Sequence, residues 1–572
     1  MCGIVGIYSL EGGSIDFSIV LRGLLAMRER GTPHGAGVAY YRGDGRLLVK
    51  AFSRTPVGRY VKIADGFYDV TLENEHLDDG FVYLKSRWLD VYKVADWPEG
   101  LAARYKLDGV RSPVWLGHTR YPTNSPGRLP LYSHPFAVGE VAIVHNGDLS
   151  SYGSHVELIN HYVGDGKFTG NDSESIAHLL NYLLQTYDVE EAIRELLYGQ
   201  RVRWARLDGP YAVAFMVGGP SPYFGAFVDL YHFRPLYVGT DGTTLYVASE
   251  AAAIKAMSPS ARVWALRGGE YIVAHKGEVW GNFKMRYVYP QSPPPPAEGF
   301  IDASAFGVTE LADVIRREVE KRGQVSVVNV NGHRYLASGL ERGVVKMWGV
   351  VGNASANVMS GGEVYVYGDV QDDFGDAMNG GVAVVYGNAG DTLGQAKRGG
   401  EIYVYGDVGT RAAIQHRGGV VIIGGSAGDF LGEYMGGGTV VVLRVTNDEP
   451  VGKYIGSGLV GGKIYIRGDD VPPDFVGLAP SSRRLKRYVE YLYRSGRIGE
   501  EEYRRLSLGD FAAAPSHLHK LWGGSLRVER RHLTEEEVRE LAPYVAKFNT
   551  LFGLNVDISK EVFTVVSRGH DF

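Results

Sequence analysis

The sequence has only one cysteine, Cys2, among its 572 residues. A single cysteine excludes an internal disulfide, and it excludes an iron–sulfur cluster held by cysteines of this chain. A lone cysteine is most often a small buried hydrophobic residue. At position 2 that interpretation weakens, because chain ends are seldom buried unless they are tied down.

Long apolar runs and an excess of positive charge are also missing. No stretch of about 18 apolar residues occurs, so we expect no membrane-spanning helix. Residues 1–20 lack the basic segment and apolar stretch of a signal peptide, and we therefore expect a cytoplasmic protein. The net charge of −5 argues against a nucleic-acid partner. No His/Cys/Asp spacing suggests a metal site.

The length predicts two to four domains, since one hydrophobic core rarely serves so long a chain. Residues 291–299 read QSPPPPAEG, a proline run typical of a linker. Before it, in residues 2–290, short apolar runs alternate with helical patterns, which indicates sheets covered by helices. Buried strands are predicted at 4–8, 114–119, 141–145 and 211–217, and a helix at 176–187.

Glycine is abundant after position 340 and recurs with a fixed period. Gly-Gly pairs stand at 361/362, 380/381, 399/400, 418/419 and 437/438, always 19 residues apart. The next pair, 461/462, comes 24 residues later, as if five residues were inserted near 447–451. A second series runs through 349, 368, 387, 406 and 425. Such a period predicts a right-handed β-helix over 300–480, with about three short strands per coil.

The remaining residues, 481–572, carry a helical pattern without a catalytic signature. Thr534 and Glu537 form a capping-box sequence before 538–552, which predicts a helix there. The sequence therefore predicts a helical C-terminal tail.

The second residue offers a compact catalyst. Methionine is normally trimmed when the next residue is as small as cysteine, so Cys2 would carry an α-amine beside its thiol. Such an amine has a pKa of about 7.7–8.0 and can act as the base that activates the thiol. Gly3 permits a tight backbone around the nucleophile.

Five ordered sequence blocks resemble the class II (N-terminal-nucleophile) glutamine amidotransferases. They are MCGIVGIY at 1–8, RERGTPHGAG at 28–37, GHTRYPTNSPG at 117–127, AIVHNGD at 142–148 and NDSE at 171–174. The resemblance spans residues 2–290. It implies an αββα Ntn-hydrolase sandwich that hydrolyses glutamine through Cys2.

The resemblance assigns the oxyanion hole to Asn146 and Gly147. A side-chain amide beside a glycine N–H supplies the two donors that a tetrahedral intermediate requires. The alternative is a plain hairpin turn, for which Asn-Gly is the strongest short signal.

The same resemblance implies a grip on free glutamine. Arg120 would bind the α-carboxylate and Asp172 the α-ammonium, while Thr123 and Asn124 line the same loop. Arg30 would support the Cys2 loop rather than touch the substrate. Taken alone, Arg120 would be a surface charge and Asp172 a helix N-cap.

Some residues depart from the family pattern without removing a required group. Glu29 stands where many members carry histidine, and His34 lies at a variable loop position. His118 and His145 sit inside apolar strands, where a hydrogen-bonded core histidine is more common than a metal ligand.

The glycine-rich segments 329–340 and 424–438 resemble the C-terminal repeat domain of glutamate synthase large subunits. GSGLVG at 456–461 matches a dinucleotide fingerprint, but the strand predicted at 463–467 stands where that motif needs a helix. No cofactor is therefore expected in this chain. The combination resembles a split glutamate synthase whose FMN and iron–sulfur cluster lie on a separate subunit, in a hetero-oligomer that aminates 2-oxoglutarate. The alternatives are an N-methylglutamate synthase-type subunit and a non-catalytic assembly scaffold.

Overall fold

The computed structural model describes residues 2–569 apart from 74–76, 78, 124, 128, 165–167, 287–291, 473–474, 478–481 and 508–525. The chain divides into two compact units, 1–286 and 287–572. Each unit has its own sheets and its own hydrophobic core. Within the described part of the chain, no helix combines the length and apolarity needed to cross a membrane.

Strands make up most of the first unit. They are β1 (Gly3–Ser9), β2 (Ile15–Asp16), β3 (Ala36–Tyr41), β4 (Leu48–Ser53), β5 (Arg59–Ala64), β6 (Phe67–Leu72), β7 (Phe81–Ser86), β8 (Leu89–Val94), β9 (Arg111–Ser112), β10 (Val114–Thr119), β11 (Phe136–Val138), β12 (Val141–Gly147), β13 (Tyr211–Val217), β14 (Tyr223–Val228), β15 (Tyr237–Thr240), β16 (Thr244–Ala248), β17 (Arg262–Ala265), β18 (Tyr271–His275) and β19 (Glu278–Gly281). The helices are α1 (Phe17–Ala26), α2 (Pro98–Tyr105), α3 (Tyr152–Tyr162), α4 (Asp172–Leu183), α5 (Val189–Tyr198) and α6 (Ala251–Met257).

Two antiparallel sheets form the centre of this unit. Their strand orders are β17-β15-β16-β1-β10-β3-β8 and β11-β12-β13-β14-β18-β19. Strands β1 and β10 pack against β12 and β13, while α1 and α6 cover the first sheet and α4 and α5 cover the second. The αββα prediction is confirmed. A separate sheet, β5-β6-β4-β7, adds to this sandwich.

The predicted central elements are present. Strands β1, β10, β12 and β13 contain the four predicted runs, and almost all of their residues are buried. Continuous apolar runs suit them because both faces of each strand are covered, one by a helix layer and one by the other sheet. Helix α4 ends at Leu183 rather than at 187.

The second unit is built around one long sheet. Its strands are β20 (Ile301–Asp302), β21 (Gln324–Asn331), β22 (Val344–Val350), β23 (Ser360–Tyr367), β24 (Gly380–Val385), β25 (Glu401–Val404), β26 (Val420–Ile423), β27 (Gly436–Val442), β28 (Gly461–Arg467), β29 (Leu526–His532) and β30 (Val562–Arg568). Its helices are α7 (Glu310–Arg322), α8 (Ser482–Arg494), α9 (Glu500–Ser507) and α10 (Glu535–Phe552).

The glycine period sets the register of a parallel β-solenoid. Ala383 pairs with Val364 of the preceding coil and with Ile402 of the following coil, a step of 19 residues each way. Val440 pairs with Ile464, a step of 24, so the predicted five-residue insertion is confirmed. Strand β28 occupies Gly461–Arg467 as predicted, which leaves the dinucleotide match without its helix.

The prediction of about three strands per coil is wrong. Each coil contributes one strand to the ladder and one single-residue bridge, such as Val370 to Ala389. The third side is a run of turns in which alternate residues are left-handed, for example Asp373, Gly375 and Ala377 at φ 61°, 71° and 51°. Their N–H groups bond carbonyls of the neighbouring coils, which replaces a strand ladder.

The two glycine series have different roles. Gly381 of the paired series has φ 84° at a coil corner, a conformation that favours glycine. Gly387 of the second series lies so close to the preceding coil that an added Cβ would stand 2.7 Å from the Gly368 carbonyl oxygen. One series therefore shapes the corners, and the other permits close stacking.

The C-terminal tail is helical in part. Helices α8, α9 and α10 confirm the prediction of helices, and the Thr534 and Glu537 side chains form the predicted capping box. The prediction was incomplete, because β30 pairs antiparallel with β28 and β29 with β30. These strands extend the solenoid sheet, and the outer one is rich in arginine and glutamate, as exposed edges commonly are.

Candidate active site

Cys2 precedes the central strand of the first sheet. Gly3 pairs with Thr119 of β10, which places Cys2 beside the residues that follow β10. The Cys2 Sγ accepts a hydrogen bond from the Tyr121 N–H at 3.2 Å. An added Cβ on Gly3 would lie 2.8 Å from Thr119 Cγ2, so the tight backbone expected at this position is present.

The surroundings of the thiol keep it protonated at rest. Burial raises the pKa of the Cys2 thiol, although the Tyr121 N–H and the guanidinium groups of Arg120 and Arg30 act in the opposite direction. Because the thiolate is the nucleophile, such a thiol needs a nearby base. An α-amine on Cys2 itself would meet that need without another side chain.

Arg30 holds the backbone of the predicted nucleophile. Its Nε donates to the Cys2 carbonyl at 2.9 Å, and its Nη1 pairs with Glu250 at 3.0 Å, with both side chains buried. This is the position of a supporting residue. Sequence reasoning missed Glu250, which is 220 residues distant from Arg30 and is brought near only by the pairing of β1 with β16.

Arg120 is buried, so the surface-charge alternative is wrong. Its guanidinium donates to the Pro126 carbonyl at 3.1 Å and to the Ser125 hydroxyl at 2.7 Å. Among the described residues, no carboxylate pairs with it. A buried guanidinium held by neutral oxygens retains the capacity to bind a carboxylate in a charge-assisted pair.

Asn146 and Gly147 lie in β12 and pair with Ala212 and Tyr211 of β13. The two-residue hairpin alternative is therefore wrong. Asn146 is 2% exposed, and its Nδ2 has no hydrogen-bond partner among the residues that the structure describes. Buried donors without partners are rare in folded proteins, and an oxyanion donor must keep its N–H groups available.

Asp172 is buried at the start of α4 and accepts a hydrogen bond from the Leu149 N–H at 2.8 Å. The helix N-cap is Asn171, whose side chain accepts from the Ser173 N–H at 3.0 Å, so the expectation that Asp172 caps the helix is wrong by one residue. The Asn171 amide also donates to the Ser125 hydroxyl at 3.1 Å.

Side-chain contacts bring these elements to one end of the sandwich. Ser125 bonds both Arg120 and Asn171, which joins the predicted carboxylate grip to the start of α4. His118 Nε2 lies 3.0 Å from the His145 carbonyl, which ties β10 to β12 immediately before Asn146. Sequence reasoning missed the role of Ser125, since serine in a turn carries no distinctive signal.

The structure says little about Thr123 and Asn124, the two loop residues predicted to line the glutamine site. Thr123 lies in a bend after β10, and Asn124 falls outside the described residues. Glu29 and His34 are both exposed. The roles predicted for the site residues remain predictions, although the structure places Cys2, Arg120 and Asp172 on segments that meet.

The buried histidines behave as core residues. Burial lowers the pKa of His118 to about 3, and it lowers the pKa of His145 as well. Each ring has one bonded nitrogen, since His145 Nδ1 lies 2.8 Å from the Ser173 hydroxyl, and one buried nitrogen without a partner. Each of the two histidines therefore makes only one of the two hydrogen bonds that its ring nitrogens could make. Across the described residues, no cluster of three or more His, Cys, Asp or Glu side chains could hold a metal ion.

Comparisons with known proteins give one match to the glycine repeat and others that cover up to about half of the chain. Residues 322–474 match the GXGXG motif family. An amidophosphoribosyltransferase of Methanocaldococcus jannaschii is 30% identical over 288 residues, which cover 49% of this chain and 48% of that protein. A glutamine--fructose-6-phosphate aminotransferase [isomerizing] of Aeropyrum pernix is 28% identical over 278 residues, 47% of this chain and 35% of that protein. The chain is thus similar to glutamine-dependent amidotransferases over about half of its length, and it carries the GXGXG motif over residues 322–474.

The extent of these matches is partial. The chain spans about half the length, or less, of these two relatives. Among solved structures, the glutamine phosphoribosylpyrophosphate amidotransferase from B. subtilis is 20% identical, with a TM-score of 0.35 over 50% of each chain.

Proposed function

We propose that this chain is the glutamine-hydrolysing subunit of a glutamate synthase. The observation that carries the proposal is the buried Asn146 amide without a partner, at the end of the sandwich where Cys2 and Arg120 also lie. A donor that remains available at this position is what an oxyanion hole requires.

The chemistry begins with proton transfer from the Cys2 thiol to its own α-amine, directly or through a water. The sulfur attacks the side-chain amide carbon of glutamine, and Asn146 and Gly147 donate hydrogen bonds to the oxyanion that forms. The carbon–nitrogen bond breaks as the proton passes to nitrogen, and ammonia leaves a glutamyl thioester. Water then cleaves the thioester, which yields glutamate and restores the thiol.

Substrate binding requires a small rearrangement of the Arg120 loop. In the structure the guanidinium is occupied by oxygens of Ser125 and Pro126, so the α-carboxylate of glutamine replaces some of these neutral acceptors. The carboxylate of Asp172 holds the α-ammonium. This exchange favours the charged ligand, because charge-assisted hydrogen bonds are roughly twice as strong as neutral ones.

The ammonia needs an acceptor that this chain does not supply. With a single cysteine, the chain has no means to ligate an iron–sulfur cluster, and the glycine repeat resembles the domain that accompanies the flavin domain in glutamate synthases. We infer a separate subunit with FMN and an iron–sulfur cluster, which aminates 2-oxoglutarate reductively in a hetero-oligomer with this chain.

The first test uses the single thiol. Wild-type protein should release glutamate and ammonia from glutamine, and Cys2→Ala should abolish the release, whereas Cys2→Ser is a matched control for folding. A diazoketone analogue of glutamine should label Cys2 alone, on protein whose intact mass lacks Met1. Unchanged hydrolysis in Cys2→Ala would show that another group is the nucleophile.

The second test concerns the partner. The chain is purified from its native source, and its glutaminase rate is measured with and without 2-oxoglutarate and a reductant. We expect a co-purifying flavoprotein and a higher rate when both are present. A colourless chain that purifies without a partner, and whose glutaminase rate does not change with 2-oxoglutarate, would favour a free glutaminase. A chain without glutaminase activity would favour a scaffold.

A further inference from the structure

A pocket of about 160 Å³ lies in the first unit, away from the residues assigned to glutamine. It opens between two edge strands, β7 and β11, and the first turns of α4. Tyr83, Lys93, Phe136, Val138 and Glu174 are among its lining residues. Sites for drug-sized ligands measure about 300–1,000 Å³, so this pocket suits a smaller molecule.

Lys93 is a buried cation without an oxygen partner. Its side chain is 1% exposed, and among the described residues no acceptor lies within hydrogen-bonding or ion-pairing distance of its Nζ. The ammonium instead lies 4.5 Å from the ring centre of Phe136 and 5.2 Å from that of Tyr83. Burial lowers the pKa of Lys93 to about 8, so it remains mostly protonated at neutral pH.

Glu174 faces the same space with one oxygen still available. Its Oε2 accepts from the Thr169 N–H at 2.6 Å and from the Thr169 hydroxyl at 2.8 Å, and no hydrogen bond from the described part of the chain reaches its Oε1. Lys93 interacts with Glu174 only through space, at more than ion-pairing distance. The other nearby carboxylate, Asp69, is already bonded by Tyr83 and Tyr105.

We propose that this pocket binds a free α-amino acid with a small apolar side chain. Buried charges are normally paired, and the two here are separated by a gap that a ligand of both charges would bridge. The ligand carboxylate pairs with Lys93, its ammonium with Glu174 Oε1, and its side chain packs on Phe136 and Val138.

The proposed site is independent of the proposed function. It differs from the predicted glutamine site, which uses Arg120 and Asp172. The two are nevertheless neighbours, because Glu174 and Asp172 share the first turn of α4.

The test measures binding of three probes to the full-length protein by isothermal titration calorimetry. L-leucine carries both charges, 4-methylpentanoate lacks the ammonium, and 3-methylbutylamine lacks the carboxylate. We expect leucine to bind at one site, and each truncated probe to bind at least about tenfold more weakly, since each lacks one charge-assisted contact. Absence of leucine binding, or equal binding of either truncated probe, would overturn the proposal.

Variants locate the bound amino acid. Lys93→Met and Glu174→Gln should each weaken leucine binding by about tenfold or more. Val138→Trp, which fills the pocket without changing a charge, should abolish leucine binding. Arg120→Ala should leave leucine binding intact. If leucine binding were lost in Arg120→Ala but kept in Lys93→Met and Val138→Trp, the amino acid would occupy the glutamine site and the proposal would be wrong.

Discussion

Two buried lysines, one in each unit, differ in whether the protein supplies oxygen acceptors for the ammonium group. In the solenoid, the ammonium of the fully buried Lys397 donates to the Gly400 carbonyl at 2.6 Å and to the Gly418 carbonyl at 3.2 Å. In the first unit, Asn146 and Lys93 are also buried, and among the described residues neither the Asn146 Nδ2 nor the Lys93 Nζ has a hydrogen-bond acceptor. Buried polar atoms without a partner in the described part of the chain occur in both units, for example Trp264 Nε1 and Ser457 Oγ, so a missing partner suggests a ligand only where other polar groups face the same space.

The units also differ in how their order arises. The solenoid repeats one backbone pattern, so each coil satisfies backbone hydrogen bonds of its neighbours. The first unit gathers single residues from distant parts of the sequence. A substitution should therefore affect activity in the first unit and stability in the second.

The largest effect is expected at the oxyanion hole. Asn146→Ala should lower kcat for glutamine hydrolysis by about 10²–10³, with little change in KM, because its amide acts only when the oxyanion forms. Steady-state kinetics gives both values, and Asn181→Ala, a partly buried amide of α4, is the control for folding. A change confined to KM would contradict the assigned role.

A second change separates binding from turnover. Arg120→Ala should raise KM for glutamine by about 10- to 100-fold with a smaller effect on kcat, since a charge-assisted grip contributes about 1.5–3 kcal/mol. Arg22→Ala, at an exposed arginine of α1, is the matched control. If Arg120→Ala and Arg120→Lys both retained the wild-type KM, the carboxylate grip would lie elsewhere.

In the solenoid the expected effect is on stability alone. Gly387→Ala should reduce the free energy of unfolding by about 1–3 kcal/mol, because the new methyl group overlaps the preceding coil. Gly436→Ala is the matched control, since its added Cβ would meet nothing nearer than 3.9 Å, and it should change stability by less than about 0.5 kcal/mol. Urea unfolding measures the free energy of unfolding of both variants. Equal losses of stability would mean that the close approach of neighbouring coils does not determine the cost of the added methyl group.

A pH-dependent effect on stability tests the buried lysine of the solenoid. Met359, Met378, Lys397, His416 and Met435 occupy equivalent buried positions in successive coils. Burial lowers the pKa of Lys397 to about 7, below the value of about 10.4 in the unfolded chain. The unfolded state therefore binds more protons between these values, so stability should rise with pH from about 7 to 10 and be lowest below pH 7.

Lys397→Met should remove this pH dependence and raise stability at pH 6. The wild-type slope for one proton is at most about 1.4 kcal/mol per pH unit. Lys453→Met, at an exposed lysine of the same unit, should leave the slope intact. Urea unfolding at pH 6 and pH 9 supplies the comparison, and an unchanged slope in Lys397→Met would show that Lys397 stays charged in the fold.

Much of this molecule follows from local pattern in the sequence. Continuous apolar runs predicted the strands β1, β10, β12 and β13. Such runs are typical of strands that are buried on both faces, because neither face needs polar side chains. The glycine period located the coils and the insertion, since stacking imposes one register on every repeat. Motif order predicted Cys2 as the nucleophile, which remains a prediction. These features depend on neighbours along the chain or on a fixed period, and both are visible in one dimension.

Only the tertiary structure decided the rest. The pairing of β1 with β16 brings Glu250 to Arg30, and Ser125 joins Arg120 to Asn171, through contacts that no sequence spacing encodes. The strands β29 and β30 were missed because a sheet edge recruits them from a tail whose pattern is otherwise helical. Whether a buried Asn146 or Lys93 has a partner depends on the summed packing of several elements, so the absence of a partner became visible only in three dimensions.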